Sequence, residues 1–197
     1  MPLDPSFLQT GAGAFVSYLL IVTLVAADGV FPVFPGEAAL IGGGILAGDG
    51  ELSLVLVIAA GLIGGALGDN CSYFLGVSYG PRAAARMFRS DRSRHRLEWA
   101  RLKLEERGEV IILTARFIPA GRTATTFAAG ALEMEWRRFA RIDAAAVTAW
   151  ALYASLAGYA GGRAFGDSTV SVLAGTILIA TAIGLGAELI RRLTAET

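Results

Sequence analysis

The sequence predicts an all-α polytopic membrane protein. It should be an inverted repeat of two re-entrant helical hairpins plus transmembrane helices, with a basic amphipathic cytoplasmic helix. Three observations predict this. First, the 197 residues are 54% hydrophobic, with 25 glycines and a mean hydropathy of +0.57, a balance rare in soluble domains. Second, no Lys or Arg precedes Arg82, whereas Asp4, Asp28, Glu37, Asp49, Glu51 and Asp69 all do. Third, two apolar stretches are broken by proline and glycine beside charged residues. Broken backbone at membrane depth is tolerated only where it is buried in protein or lines a cavity.

The length suits one domain over residues 1–197. The charge asymmetry is a topology signal and points away from a nucleic-acid partner. Cys71 is the only cysteine and His95 the only histidine, so neither an intramolecular disulfide nor a metal site is expected. The N-terminus lacks a positive n-region, so no cleaved signal peptide is expected.

Gly11 to Ala27 is apolar and long enough to cross or nearly cross a bilayer. Asp28-Gly29 ends it. Val30 to Gly48, VFPVFPGEAALIGGGILAG, is punctuated by Pro32, Pro35 and a glycine triplet, and reads as a first re-entrant hairpin over about 30–49. Leu52 to about Tyr79 is the next span, with small residues at helical spacing and an embedded Asp69. Residues 82–107 carry nine basic side chains and a narrow stripe of Leu97, Ala100 and Leu104, which predicts an amphipathic surface helix in the cytoplasm.

Residues 109–134 contain ARFIPAGRTATTFAAG. Pro119-Ala120-Gly121 breaks a helical pattern between Arg116 and Arg122, and Arg137, Arg138 and Arg141 follow. This reads as a second hairpin that leaves on the side it entered. Phe139 to about Gly162 is then a span, and Val170 to Ile190 the last, with Arg191-Arg192 placing the C-terminus in the cytoplasm. Counting back, the first hairpin dips from outside, and the Gly11–Ala27 span starts inside. Two hairpin-plus-span units of opposite orientation result, with local likeness between FPGEAALIGGGILAG and FIPAGRTATTFAAGALEM. Secondary transporters use this architecture.

Charge at lipid depth is expensive and usually faces a partner or a cavity. The first hairpin supplies Asp28 and Glu37, the second Arg116 and Arg122, so a meeting of the two pairs every charge. The arginines then suit a phosphate or carboxylate. Glu37, Asp28 and the intramembrane Asp69 are candidates for proton coupling. A purely structural role for all of them stays open. Asp143 reads as structural, near the interface, and Trp136 and Trp150 as belt or packing residues. No nucleophile–His–acid set, P-loop or dinucleotide fingerprint occurs, so no enzyme chemistry and no cofactor are expected.

The sequence resembles the DedA family, whose members share the SNARE-associated or VTT membrane domain. The residues that carry the likeness are Asp28 with FPVFPGE, then GDNCSYFLGVSYG, ARFIPAGRT, and Trp150 ahead of GYAGG, over about residues 28–165. Asp28 departs from the glutamate of many members. The resemblance implies an inner-membrane protein with paired re-entrant hairpins that moves lipid between leaflets, undecaprenyl phosphate in bacteria or phospholipids in eukaryotic relatives, tied to the proton gradient or membrane potential. It maps the family's essential acids and arginines onto Asp28, Glu37, Arg116 and Arg122. The partners expected are a phosphate-headed membrane lipid and a proton or sodium ion, with a homodimer as an allowed assembly. A small-ion or drug antiporter and a non-transport structural protein are the alternatives.

Overall fold

The computed structural model describes residues 11–87, 102, 104, 106–116 and 121–165. The expected basic helix over 82–107 falls mostly outside these residues, and the expected last span over 170–190 wholly outside. The described residues form helices α1 (Gly11–Val30), α2 (Gly36–Gly48), α3 (Leu54–Met87), α4 (106–115), α5 (Gly121–Ala131) and α6 (Trp136–Phe165). No strand occurs among them. Gly11–Val30 and the Leu54–Gly80 part of α3 are both long and apolar enough to cross a membrane. Helix α6 has a span's length, but charges near both ends dilute its apolar character.

The first half begins with a hairpin, though not the one that composition marks. A single helix, α2, occupies most of Val30–Gly48. The turn lies at 31–35, where Pro32 and Pro35 lack amide protons and disfavour helix in the residues before them. Phe31 N–H still closes the last turn of α1 on the Ala27 carbonyl at 2.8 Å, and the Pro35 carbonyl accepts the first bond of α2 from Ala39 at 3.0 Å. Helix α2 returns antiparallel to α1: Gly36 lies against Asp28 and Val25, and Gly43 against Ile21. The hairpin is therefore α1 with α2. The expectation that Gly11–Ala27 crosses alone, from the side opposite the start of α3, is corrected by one contact. The Tyr18 hydroxyl accepts the Ser53 amide at 2.7 Å, so α1 starts beside the start of α3.

Helix α1 then runs parallel to α3. Val25 packs on Gly64, and Gly29 meets Gly68 so closely that a Cβ on Gly29 would lie 2.7 Å from the Gly68 backbone. Gly68 is fourteen residues past Leu54, about 21 Å along a helix whose apolar part is 27 residues, or about 40 Å. The α1–α2 turn thus sits about halfway along α3.

The second half repeats the order of parts. Helix α4 ends beside Arg116, α5 begins at Gly121, and Gly108 of α4 lies against Met134 just beyond the end of α5. Helix α5 is parallel to α3, with Ser72 bonding the Thr123 carbonyl and Gly76 and Gly80 against Phe127 and Ala131. Its first residues therefore reach the same mid-level of α3 from the other end. Helix α6 runs antiparallel to α3, pairing Phe139 with Tyr73, Val147 with Gly65 and Ala151 with Gly61.

Both returning helices end alike. After α2, Gly50 (φ 85°) donates to Ala47 and Glu51 to Leu46; after α5, Glu133 (φ 61°) donates to Gly130 and Met134 to Ala129. Each is a Schellman turn, which satisfies carbonyls that a helix end leaves open. Each also delivers the chain into a long helix, α3 or α6.

The halves are interwoven. Helix α2 packs most closely on α6, and α5 on α3, each across the boundary between halves. Glycines four apart make both crossings: Gly44 and Gly48 against Gly158 and Gly162, and Gly76 and Gly80 against the α5 stretch that includes Gly130. Lipid tails are as apolar as leucine, so close backbone approach supplies the attraction that water supplies in soluble proteins.

Two substitutions separate these devices. Gly50→Ala puts a side chain in open space but in a left-handed backbone, and should lower stability by about 1 kcal/mol. Gly130→Val drives a side chain into the Tyr73 carbonyl and should lose at least ~3 kcal/mol or prevent folding. Thermal unfolding in detergent measures both, and equal midpoints for the two variants would contradict the close crossing.

Candidate functional site

Helix-turn geometry delivers five charged side chains to one level. Asp28 is near the end of α1, Asp69 is halfway along α3, and Asp143 is in the second turn of α6. Arg116 follows α4, and Arg122 is the second residue of α5. Arg116 Nη1 donates to Asp69 Oδ2 at 2.7 Å and to Asp143 Oδ1 at 3.3 Å. Arg122 Nη2 donates to Asp28 Oδ2 at 3.2 Å, and its Nε lies 3.3 Å from Asp69 Oδ1. Asp69 therefore bridges the two arginines. The Thr123 hydroxyl donates to the Asp28 carbonyl at 3.3 Å, which ties the two turns together through the backbone as well.

An aromatic wall completes the cluster. Both guanidinium carbons lie over the buried Trp150 ring, at 5.3 Å for Arg116 and 5.8 Å for Arg122. Such contacts stabilise a desolvated cation by about 2 kcal/mol. Two arginines held side by side repel each other, and the ring face and the bridging aspartate offset that repulsion.

Solvent access divides the site. The side chains of Arg116, Asp69 and Asp143 are at most 2% exposed. Arg122 keeps 10% and Asp28 22%. Arg116 Nε and Nη2 are buried with no hydrogen-bond partner among the described residues, and a Cβ on Gly65 would lie 3.2 Å from Nη2. Arg116 is thus a sealed member and Arg122 the member on an open rim. Beside that rim the α1–α2 turn exposes Phe31, Val33 and Phe34.

Glu37 is the second residue of α2, matching the place of Arg122 in α5, and the helix dipole there favours its charge. It is half-buried and within electrostatic reach of Asp28 and Arg122, but makes no ion pair among the described residues. The charges do not balance. Asp28, Asp69 and Asp143 face two arginines before Glu37 is counted. An anion entering this site meets arginines already held by carboxylates. Among the described residues, no group of three His, Cys, Asp or Glu side chains is arranged to hold a metal ion.

Four of the sequence-marked residues meet here directly: Asp28, Asp69, Arg116 and Arg122. Glu37 stands one step away. Sequence reasoning missed two members. Asp143 is no interfacial residue; it is buried against Arg116. Trp150 packs, as expected, but against both guanidiniums. The available signal was phase: Phe139, Asp143, Val147, Trp150 and Ala154 recur at helical spacing, and all five are buried. An acid in step with a buried stripe needs a cation.

Comparison with known proteins identifies the family. A family model described as the VTT domain matches residues 34–160. An uncharacterized membrane protein of Mycobacterium tuberculosis is 30% identical over 167 residues, 80% of this chain and 72% of that protein. Protein DedA of Escherichia coli K12 is 29% identical over 151 residues, 75% of this chain and 69% of its own length. A Bacillus subtilis protein named undecaprenyl phosphate transporter A is 26% identical over 122 residues, 61% of each chain. No solved structure matches the chain. With its paired helical arms, its apolar helices and these relatives, the chain belongs to the DedA family of membrane proteins, built on the VTT domain.

Proposed function

We propose that this protein moves a lipid with an anionic phosphate headgroup between the leaflets of a membrane. Undecaprenyl phosphate is the first candidate and a phospholipid the second. The observation that carries the proposal is Arg122, a rim arginine halfway along α3 where two helical turns meet, next to exposed Phe31, Val33 and Phe34. A planar guanidinium suits a phosphate, and the apolar turn suits a tail that stays in lipid. The Bacillus subtilis relative's name supports the headgroup chemistry. In this reading both hairpins are re-entrant, the halves form an inverted repeat, and the cell's inner membrane holds the protein with its C-terminus in the cytoplasm.

The charge count supports proton coupling. A headgroup must replace Asp28 on Arg122, and a proton delivered to Asp28, Glu37 or Asp69 weakens their hold on the arginines. Proton and phosphate then enter together, and deprotonation on the far side restores the ion pairs and expels the lipid. Arg116, sealed on Asp69 and Asp143, positions the cluster. The same excess of acids favours a second reading, a proton-coupled exchanger of small cations or drugs that does not bind lipid phosphate.

Three measurements decide. Purified protein in vesicles should translocate undecaprenyl phosphate, Arg122→Ala should reduce the rate at least about tenfold, the equivalent of ~1.4 kcal/mol, and Arg122→Lys should fall between. Undiminished movement in Arg122→Ala would falsify the headgroup role. An imposed proton gradient should accelerate wild-type transport, whereas Glu37→Gln should respond weakly; a response equal to wild type removes Glu37 from coupling. Asp69→Ala strips the bridge from two buried arginines and should destabilise the fold by about 3–5 kcal/mol. A wild-type melting temperature for that variant contradicts the bridge.

A further inference from the structure

Asp143 takes up no proton in the transport cycle above and only helps to hold Arg116, yet it is the surplus acid of the cluster. The three aspartates differ in what holds them. Asp69 faces both arginines, at 2.7 and 3.3 Å. Asp28 has Arg122 at 3.2 Å and remains 22% exposed at the rim. Asp143 has only a 3.3 Å contact to Arg116 Nη1, the nitrogen that Asp69 already occupies at the shorter distance, and its side chain is 2% exposed. Its carboxyl also lies within hydrogen-bonding reach of Asp69.

The charged groups facing Asp143 are Asp69 from α3, Arg116 from the chain after α4, and Arg122 from α5. Helices α1 and α2 bring Asp28 and Glu37, which face Arg122 instead. Lys and His are absent from this neighbourhood among the described residues. Two carboxylates that share one guanidinium nitrogen, at 2.7 and 3.3 Å and both buried, repel each other unless a proton lies between them. Two arginines can balance Asp28 and Asp69. Among the described residues, Asp143 has only its share of Arg116, which Asp69 holds more closely.

We infer that Asp143 is a proton-carrying carboxyl of the cluster, holding one exchangeable proton toward Asp69 beneath Arg116. The ligand of this site is the proton itself. It sits on an Asp143 oxygen, and the hydroxyl so formed donates to the Asp69 carboxylate. When the proton leaves, Asp143 becomes a second full carboxylate for Arg116 and competes with Asp69 for it. Asp69 then shifts toward Arg122, which loosens the hold of Asp28 on that arginine. Loss or gain of one proton in the sealed half thereby alters the ion pair at the rim. The transport reading matters only for where the proton goes; its residence in the resting protein is independent of any lipid.

Infrared difference spectroscopy on the full chain in lipid vesicles tests this, between neutral and alkaline pH and with exchange into heavy water. Wild type should show a protonated-carboxyl stretch at neutral pH that shifts in heavy water and disappears on alkalinisation. Asp143→Asn should remove this band while leaving the amide bands of the helices unchanged. Asp143→Glu, produced with carbon-13 glutamate, should restore a carboxyl band that moves with the label, and it serves equally if the asparagine variant does not fold. A band that persists in Asp143→Asn, an unlabelled band in Asp143→Glu, or no carboxyl band in the wild type at neutral pH overturns the inference. Lipid movement is not read, so a failure of the transport proposal leaves this result unaffected.

Discussion

One carboxylate organises the molecule. Asp69 sits halfway along α3, fully buried, and two arginines from the second hairpin converge on it. A buried charge without a partner is far more destabilising than a missing apolar contact. Asp69 therefore fixes how far the chain after α4 and the start of α5 must reach along α3. Arg122 in turn engages Asp28 and so fixes the depth of the first hairpin. The two turns meet because neither set of charges is satisfied alone.

Glycine makes that meeting possible. The Gly29–Gly68 approach lets α1 lie on α3 with backbones nearly touching, which brings Asp28 to the level of Asp69. Larger residues would hold the helices apart by several ångströms, and Arg122 could not span both acids. Close packing and ion pairing are thus two aspects of one constraint: the crossings set the distances over which the charges interact.

Much of this is legible in the sequence. Pro119-Gly121 between two arginines separates α4 from α5, and the arginines' need for acids points to Asp28 and Asp69. Legibility fails where depth matters. The proline and glycine of Val30–Gly48 imply a turn, but composition does not say which flank pairs with it; the Tyr18–Ser53 bond does. Asp143 follows three arginines in sequence and so looks interfacial, although it lies seven residues into α6 and on its buried stripe. A helix rises about 10 Å over seven residues, enough to carry a side chain from the surface to the interior. The Schellman turn at Glu133 leaves no glycine signal in the sequence, because its left-handed residue is a glutamate.

The cross-packing of the halves has a consequence for how the protein is made. Helix α2 leaves the ribosome early, yet the glycines of its principal partner lie 114 residues later, at Gly158 opposite Gly44 and Gly162 opposite Gly48. Until α5 has been synthesised Asp28 has no arginine, and until α6 has been synthesised the glycine face of α2 has no mate. The first hairpin must wait in an unfinished state, and the final assembly is a late, non-local event of the kind that proceeds slowly and exposes intermediates to quality control. Maturation of the charged centre is thus coupled to completion of α6, so that a truncated chain cannot present a finished site.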